Sequence, residues 1–271
     1  MPELPEVEVV RQGLEGPLSG QVLRRVEYSH RPLRYPLPDL QASLAGRRLR
    51  AVRRRARYLL FDFGEIWLAW HLGMSGQFHV LPAEAPAGRH EHVRLMFGDG
   101  LSLRYRDARR FGYAGLMDAA HWRDHPWFAA LGPEPLGPEF TFEVLMAACA
   151  ARRAPVKQVL MDGRVVAGVG NIYASESLFR AGIHPARAAC RIAPRRIARL
   201  HRAVIRVLEE AIAAGGSTIS DFRRADGRPG YFAHAFCVYG RAGAPCVRCG
   251  RAIRRMVQAG RSTFWCPGCQ R

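Results

Sequence analysis

The chain has 271 residues, 48% of them hydrophobic, and 41 Lys+Arg against 23 Asp+Glu give a formal net charge of +18. This length suits two domains or a domain with appendages, and the apolar content excludes a disordered chain. No run of 18 apolar residues occurs and the basic residues are spread along the whole sequence, so a membrane is excluded as the sink for that charge and nucleic acid is the leading partner.

The first stretch, MPELPEVEVV, reads as a helix start. Pro5 suits the first helical position, where its missing N–H is an orphan anyway, and Glu3 and Glu6 favour the positive end of the helix dipole. Val7, Val10 and Leu14 follow at helical spacing, which predicts a short helix running towards Gly16 or Pro17. That explains Pro5 and Glu6 but gives no reason for Pro2 and Glu3. The N-terminus lacks a basic region followed by an apolar core, so no secretory signal is expected, and the protein is placed in the cytoplasm.

Residues 21–28, 47–63, 66–72, 77–81, 92–97 and 101–106 read as strands, partly alternating and rich in Val, Leu, Phe and Tyr. Gly64 and Asp99-Gly100 punctuate them, which suits an antiparallel sandwich or barrel over residues 1–130. The Pro- and Gly-rich segment 131–140 is a linker. Residues 143–153, 156–162, 171–182 and 193–215 then carry apolar residues at spacings of three and four, with Gly182 and Gly215 as plausible ends, so 141–232 is a helical domain. Its last part, 215–232, is a Gly- and Asp-rich loop, and 237–271 is a separate unit.

In that last unit Cys246-x2-Cys249 is followed, after sixteen residues, by Cys266-x2-Cys269. Two thiol pairs at this spacing build one tetrahedral four-cysteine Zn2+ site, and four protein ligands leave no open position, so the metal is structural. Residues 241–271 hold seven arginines and no acid, and Arg261 lies in the turn that a zinc-pinned hairpin would present. Such a hairpin is a phosphate-binding device. Cys149, Cys190 and Cys237 read as packing residues. Of the 41 basic residues only Lys157 is lysine; the bias to arginine is one of coding composition, but it makes the surviving lysine conspicuous. Residues 168–179, GVGNIYASESLF, place two glycines before a helix with Asn171 at the cap, a geometry that aims backbone N–H groups at an anion.

PELPE at the N-terminus, HLGMSG at 71–76, RHEHV at 89–93, RDARRFG at 106–112, LGPEPL at 131–136, GVGNIYASE at 168–176, DGRPGYF at 226–232 and the four-cysteine tail together resemble the formamidopyrimidine-DNA glycosylases. The motifs occur in order and span the chain. The resemblance implies an α+β multidomain fold: an N-terminal β-sandwich with an N-terminal helix, a helical helix-two-turn-helix domain, and a C-terminal β-hairpin zinc finger, with damaged double-stranded DNA across a basic cleft and a monomer as the acting form.

By the same resemblance Met1 is removed and Pro2 becomes the nucleophile and Schiff-base former. Residue chemistry agrees: an imine needs an amine that can be neutral, arginine never is, and the chain offers only its N-terminus and Lys157. Glu3 matches the general acid, Glu6 a supporting carboxylate, and Arg57 and Arg261 two further members of the catalytic set. Met74 and Phe111 match residues that fill the gap left by a flipped base, and Arg109 the donor to the widowed cytosine. His90, Arg152, Lys157 and Asn171 match positions that contact the DNA backbone, as Arg261 also does. Two departures stand out. Arg57 occupies a place where the family carries the lysine assigned to β-elimination, and Ser220 stands where members often have a basic residue that contacts the lesion. The activity implied is excision of 8-oxoguanine and ring-opened purines followed by β,δ-elimination, in a nucleoid-associated protein. Two alternatives stay open: an endonuclease VIII-like enzyme for oxidised pyrimidines, and a zinc-stabilised DNA-binding protein with reduced catalysis.

Overall fold

The computed structural model of the chain describes residues 1–29, 31–217 and 236–271. Ser220, the DGRPGYF motif and all of the 215–232 loop beyond Ser217 lie outside the described residues. Two compact units divide the chain: Met1–Ala129 with Ala214–Tyr231, and Ala130–Ala213 with Phe232–Arg271.

The first unit opens with helix α1 (Leu4–Leu18), whose Leu4, Val7, Leu14 and Leu18 are fully buried. Burial of Leu18 carries the helix slightly further than expected, through Gly16 and Pro17. Strands β1 (Leu23–Tyr28), β2 (Ala51–Arg55), β3 (Tyr58–Asp62), β4 (Ile66–His71), β5 (Gln77–Pro82), β6 (Glu91–Phe97), β7 (Leu101–Arg106) and β8 (Tyr113–Asp118) form two four-stranded antiparallel sheets, ordered β1-β6-β7-β5 and β2-β3-β4-β8. Val93, Leu95, Leu103, Tyr105 and Phe78 of one sheet meet Leu59, Phe61, Leu68 and Trp70 of the other in a single core that also takes in α1. This is a β-sandwich, and a short helix α2 (Leu40–Leu44) adds Leu40 and Leu44 to its core.

Residues 47–63, expected as one strand, are two. Arg55 pairs with Tyr58, leaving Ala56-Arg57 as a two-residue turn, and Ala56 takes φ +51. Such turns usually advertise themselves by Asn or Gly; this one has neither. Strand β8 is a further element that the sequence pattern does not predict, because Gly115 interrupts it. A Cβ there would stand 2.8 Å from the Trp127 ring, so the glycine makes room for that indole.

The second unit contains α3 (Phe142–Ala150), α4 (Val156–Met161), α5 (Asn171–Ala181) and α6 (Pro194–Ala213), then the hairpin β9 (Arg254–Gln258) and β10 (Arg261–Trp265). Residues Ile172–Phe179 of α5 are all buried, and the helix stops at Gly182, which adopts the left-handed conformation (φ +71) of a C-cap. α6 presents a single apolar stripe, Ile197, Leu200, Val204, Val207, Leu208 and Ala211. Among the described residues no helix is long and apolar enough to cross a membrane.

Candidate active site

The start of α1 is built around buried acids. Pro2 is buried, and Glu3 and Glu6 are only 4% and 2% exposed. One oxygen of Glu6 accepts the Glu3 backbone N–H at 2.9 Å; the other accepts both the N–H (2.9 Å) and the hydroxyl (2.7 Å) of Ser217. Glu6 thus fixes the peptide next to the chain end and the last described residue before 218. The Arg57 guanidinium reaches the Met1 sulfur at 3.9 Å, because the tight Ala56-Arg57 turn puts it at the tip of the β2–β3 hairpin, against the helix start. Glu8 holds that arrangement by pairing with Arg11 of its own helix (2.8 Å) and Arg54 of β2 (2.9 Å).

Burial at this end favours a neutral amine. Burial lowers the pKa of the chain's terminal ammonium, here on Met1, with Arg57 and Arg109 acting in the same direction and Glu3 and Glu6 against it. His71 belongs to the same neighbourhood. Its ring stacks on Tyr113 (centroids 5.0 Å apart), and Nδ1 accepts the Gly73 N–H at 3.0 Å, so the neutral ring carries its proton on Nε2. Burial, then Arg57 and the chain terminus, push its pKa down to about 4.

Met74, Arg109 and Phe111 come from two loops, 72–76 and 107–112, and one carboxylate joins the loops. Asp107 is wholly buried; its Oδ1 accepts from the Ser75 hydroxyl (2.5 Å) and the Arg109 N–H (3.2 Å), and its Oδ2 from the Tyr105 hydroxyl (3.1 Å) and the Gly112 N–H (2.8 Å). The loops touch through backbone: at Gly73 (φ +66) an added Cβ would lie 2.5 Å from the Gly112 nitrogen. Met74 is left 40% exposed, and the Arg109 guanidinium lies 4.8 Å above the Phe111 ring. Replacing Asp107 with asparagine removes the buried charge and turns one acceptor oxygen into an NH2 group facing a backbone N–H, so a loss of about 2–4 kcal/mol is expected. Urea unfolding checks this, and a change below about 0.5 kcal/mol, the scale of an ordinary surface substitution, would show that the carboxylate does not organise the loops.

His90 is exposed at φ +60, and its carbonyl accepts the Asp107 N–H at 3.0 Å. It borders a cavity of about 400 Å³ with Ser29, Arg31, Arg89 and His92.

In the second unit Lys157 is 2% exposed, and its Nζ donates to Asn171 Oδ1 and Thr263 Oγ1, both at 2.6 Å. Asn171 is the first residue of α5, with Gly170 as the cap, one place from where its expected capping role would put it. Its side chain turns instead to Lys157 and, through Nδ2, to the Ser262 carbonyl at 3.0 Å. Lys157 and Arg261 line one cavity of about 290 Å³, with Gln158, Asp162 and Gln258. Arg261 is the first residue of β10, immediately after an Ala259-Gly260 turn with φ +46 and +72. Arg152, at the end of α3, donates to the Ala148 carbonyl at 2.9 Å. Buried Glu176 of α5 accepts the N–H groups of Cys237, Val238 and Tyr239 at 2.8–3.0 Å, fastening the start of the cysteine unit to the helix.

The sulfurs of Cys246, Cys249, Cys266 and Cys269 lie within 4.8 Å of one another, with Cys246–Cys269 at 3.9 Å and Cys249–Cys266 at 3.4 Å. A tetrahedron of sulfurs about 2.3 Å from a zinc ion has edges of about 3.8 Å, so the four side chains fit one Zn2+. The cluster buried around them is small: Phe179, Val238, Cys246, Ile253 and Cys266.

Family models match in chain order: the formamidopyrimidine-DNA glycosylase N-terminal domain over residues 1–114, the H2TH domain of the same glycosylase over 131–223, and the zinc finger found in FPG and IleRS over 243–271. Formamidopyrimidine-DNA glycosylases of Alkalilimnicola ehrlichii and Laribacter hongkongensis are 51% and 50% identical, each covering 100% of both chains. The chain belongs to the formamidopyrimidine-DNA glycosylase family. Among solved structures of this family, MutM (Fpg) of Thermus thermophilus superposes with a TM-score of 0.89 at 42% identity, covering 99% of this chain and 98% of that one. Lactococcus lactis Fpg in complex with abasic-site DNA gives 0.92 at 33% identity, with both chains covered fully. Relative to the residues that motif resemblance picks out, the structure adds Ser75, Asp107 and Ser217 to this glycosylase's first unit, and Glu176, Tyr239 and Thr263 to its second. Ser75, Asp107 and Glu176 sit inside the family motifs, which is their signal; Ser217, Tyr239 and Thr263 have none.

Proposed function

We infer that the chain is a bifunctional DNA glycosylase and AP lyase of base excision repair that acts on oxidised purines, 8-oxoguanine and formamidopyrimidines, in duplex DNA. The observation that carries this reading is the start of α1, where buried Pro2, Glu3 and Glu6 meet Arg57 in a chain of this family. A Lactococcus lactis relative, 33% identical over 99% of this chain, is known in complex with Fapy-dG containing DNA, which supports the purine assignment. A cytoplasmic, nucleoid-associated location follows from the substrate, and every residue invoked lies on one chain, which suits a monomer.

Once Met1 is removed, the Pro2 amine attacks C1′ of the flipped nucleotide. The glycosidic bond breaks and its electron pair leaves with the base. The attacking nitrogen loses its proton and opening of the C1′–O4′ bond turns the adduct into an iminium; that proton and the one from Glu3 go to O4′ and to the departing base. Loss of the C2′ proton then expels the 3′ phosphate, a second elimination expels the 5′ phosphate, and water hydrolyses the remaining iminium to regenerate the amine. Glu6 positions the Pro2–Glu3 segment, while Met74 and Phe111 occupy the vacated stack and Arg109 donates to the opposite cytosine. His90, Arg152, Lys157, Asn171 and Arg261 hold backbone phosphates. Zinc, bound by Cys246, Cys249, Cys266 and Cys269, supplies structural support to the hairpin that carries Arg261.

Incision of a duplex carrying one 8-oxoguanine opposite cytosine tests the reading. The expected product is a one-nucleoside gap with phosphate at both ends. Faster turnover of an oxidised pyrimidine in the same duplex would favour the endonuclease VIII-like alternative instead.

Arg57 keeps positive charge near the chain terminus but stays protonated, so it is a poor proton carrier. Arg57→Lys is therefore expected to leave base excision unchanged and to speed cleavage of an abasic-site duplex several-fold. If neither step responds, the position acts only through its charge.

A further inference from the structure

In a chain with 40 arginines, one buried position remains lysine. The space around it explains why. Nζ sits between Asn171 Oδ1 and Thr263 Oγ1 at 2.6 Å from each, so one nitrogen serves both oxygens, as a compact ammonium does and the planar fork of a guanidinium does not. Both oxygens are neutral, so these bonds aim the ammonium without discharging it.

Thr263 is itself wholly buried and lies on β10, three residues before the zinc ligand Cys266. Side chains two apart on a strand share a face. Arg261 is two residues from Thr263, so the contact that brings Thr263 onto Lys157 also brings Arg261 to the wall of the cavity that Lys157 lines. Trp265, two residues further on, packs edge-on against His184 with centroids 4.1 Å apart, fixing the same face at its other end. Asn171 is held in turn from the cysteine unit, through the Ser262 carbonyl at 3.0 Å and the Tyr239 hydroxyl at 3.5 Å.

We propose that Thr263 is a positioning residue for DNA binding: its hydroxyl, presented by the zinc-pinned hairpin, orients the Lys157 ammonium of α4 beside Arg261, so that the two cations meet the DNA backbone as one site. The proposal rests on the reading of Lys157 as a phosphate contact. Thr263 thus ties the hairpin that leads into Cys266 to a side chain on another element.

The single lysine makes the test direct. Zinc-loaded full-length protein labelled with 15N-lysine gives one side-chain ammonium resonance. In the parent this signal is expected away from the free-lysine position and slow to exchange. Thr263→Val, which keeps the branched shape and removes one of the two acceptors, moves it part of the way towards the free-lysine position and speeds its exchange, while zinc stays at one per chain. Thr263→Ser, which keeps the hydroxyl, restores the parent spectrum. Duplex binding falls about tenfold in Thr263→Val, on the scale of a missing charge-assisted hydrogen bond, and falls no further when the change is made in a Lys157→Met background. An unmoved lysine signal in Thr263→Val, a Thr263→Ser variant as impaired as Thr263→Val, or an equal further loss in Lys157→Met would each overturn the proposal. Parental binding by Lys157→Met alone would instead remove the phosphate reading of Lys157, and the resonance would still judge the coupling to Thr263.

Discussion

Pro2→Gly is expected to lower the yield of borohydride-trapped protein–DNA adduct by at least about a hundredfold, the scale on which misplacing a reacting group acts. Two physical reasons converge. A secondary amine forms an iminium that is positively charged at any pH, whereas a primary amine gives an imine that must first be protonated to act as an electron sink. The buried proline ring holds its nitrogen in place, and glycine frees it. Burial at this end of the chain lowers the pKa of the Met1 ammonium, with Arg57 and Arg109 in the same direction and Glu3 and Glu6 against, so the surroundings favour a neutral amine in parent and variant alike. Intact mass is the control, because the amine is Pro2's only after Met1 has gone. An adduct of parental yield in Pro2→Gly would place the nucleophile elsewhere, and Lys157 is the other amine in the chain.

Removing zinc is expected to unfold the cysteine unit while leaving the sandwich intact. The buried cluster there comprises Phe179, Val238, Cys246, Ile253 and Cys266, two of them zinc ligands, too little apolar surface to fold about 35 residues unaided. Structural zinc contributes on the order of 10–16 kcal/mol in small domains of this kind, so its removal outweighs what the hairpin supplies. With the hairpin go Arg261 and the Thr263 hydroxyl that orients Lys157, and the slope of log affinity against log salt should become shallower by about 0.9 for each phosphate the protein no longer neutralises. Hydrogen exchange after chelation gives the direct reading: amides of β9 and β10 exchange freely while those of β6 and β7 stay protected. Protection that persists in β9 and β10 without metal would show that the fold there does not depend on it.

Much of this molecule is readable in one dimension because much of its physics is local. Cys246, Cys249, Cys266 and Cys269 announce a metal site by spacing alone, and the structure gathers their sulfurs to within 4.8 Å. Helices α3 to α6 follow the apolar period to within a few residues, and strands β4 to β7 fall on segments that the sequence marks as strands. The failures have local causes too. The Ala56-Arg57 turn lacks turn residues and is imposed by strand register, and β8 is masked by a glycine that exists to admit Trp127.

The sequence by itself determined the family, the acidic helix start, the metal set and the demand for a polyanionic partner, since each rests on residue types at short spacings. Only the tertiary structure decided what holds those groups in place. Asp107 joins two loops 32 residues apart, Glu6 reaches 211 residues along the chain to Ser217, and Lys157 reaches 106 to Thr263. Such partners are chosen by which backbone groups and side chains the packed core leaves facing one another, and no spacing in the sequence records that choice.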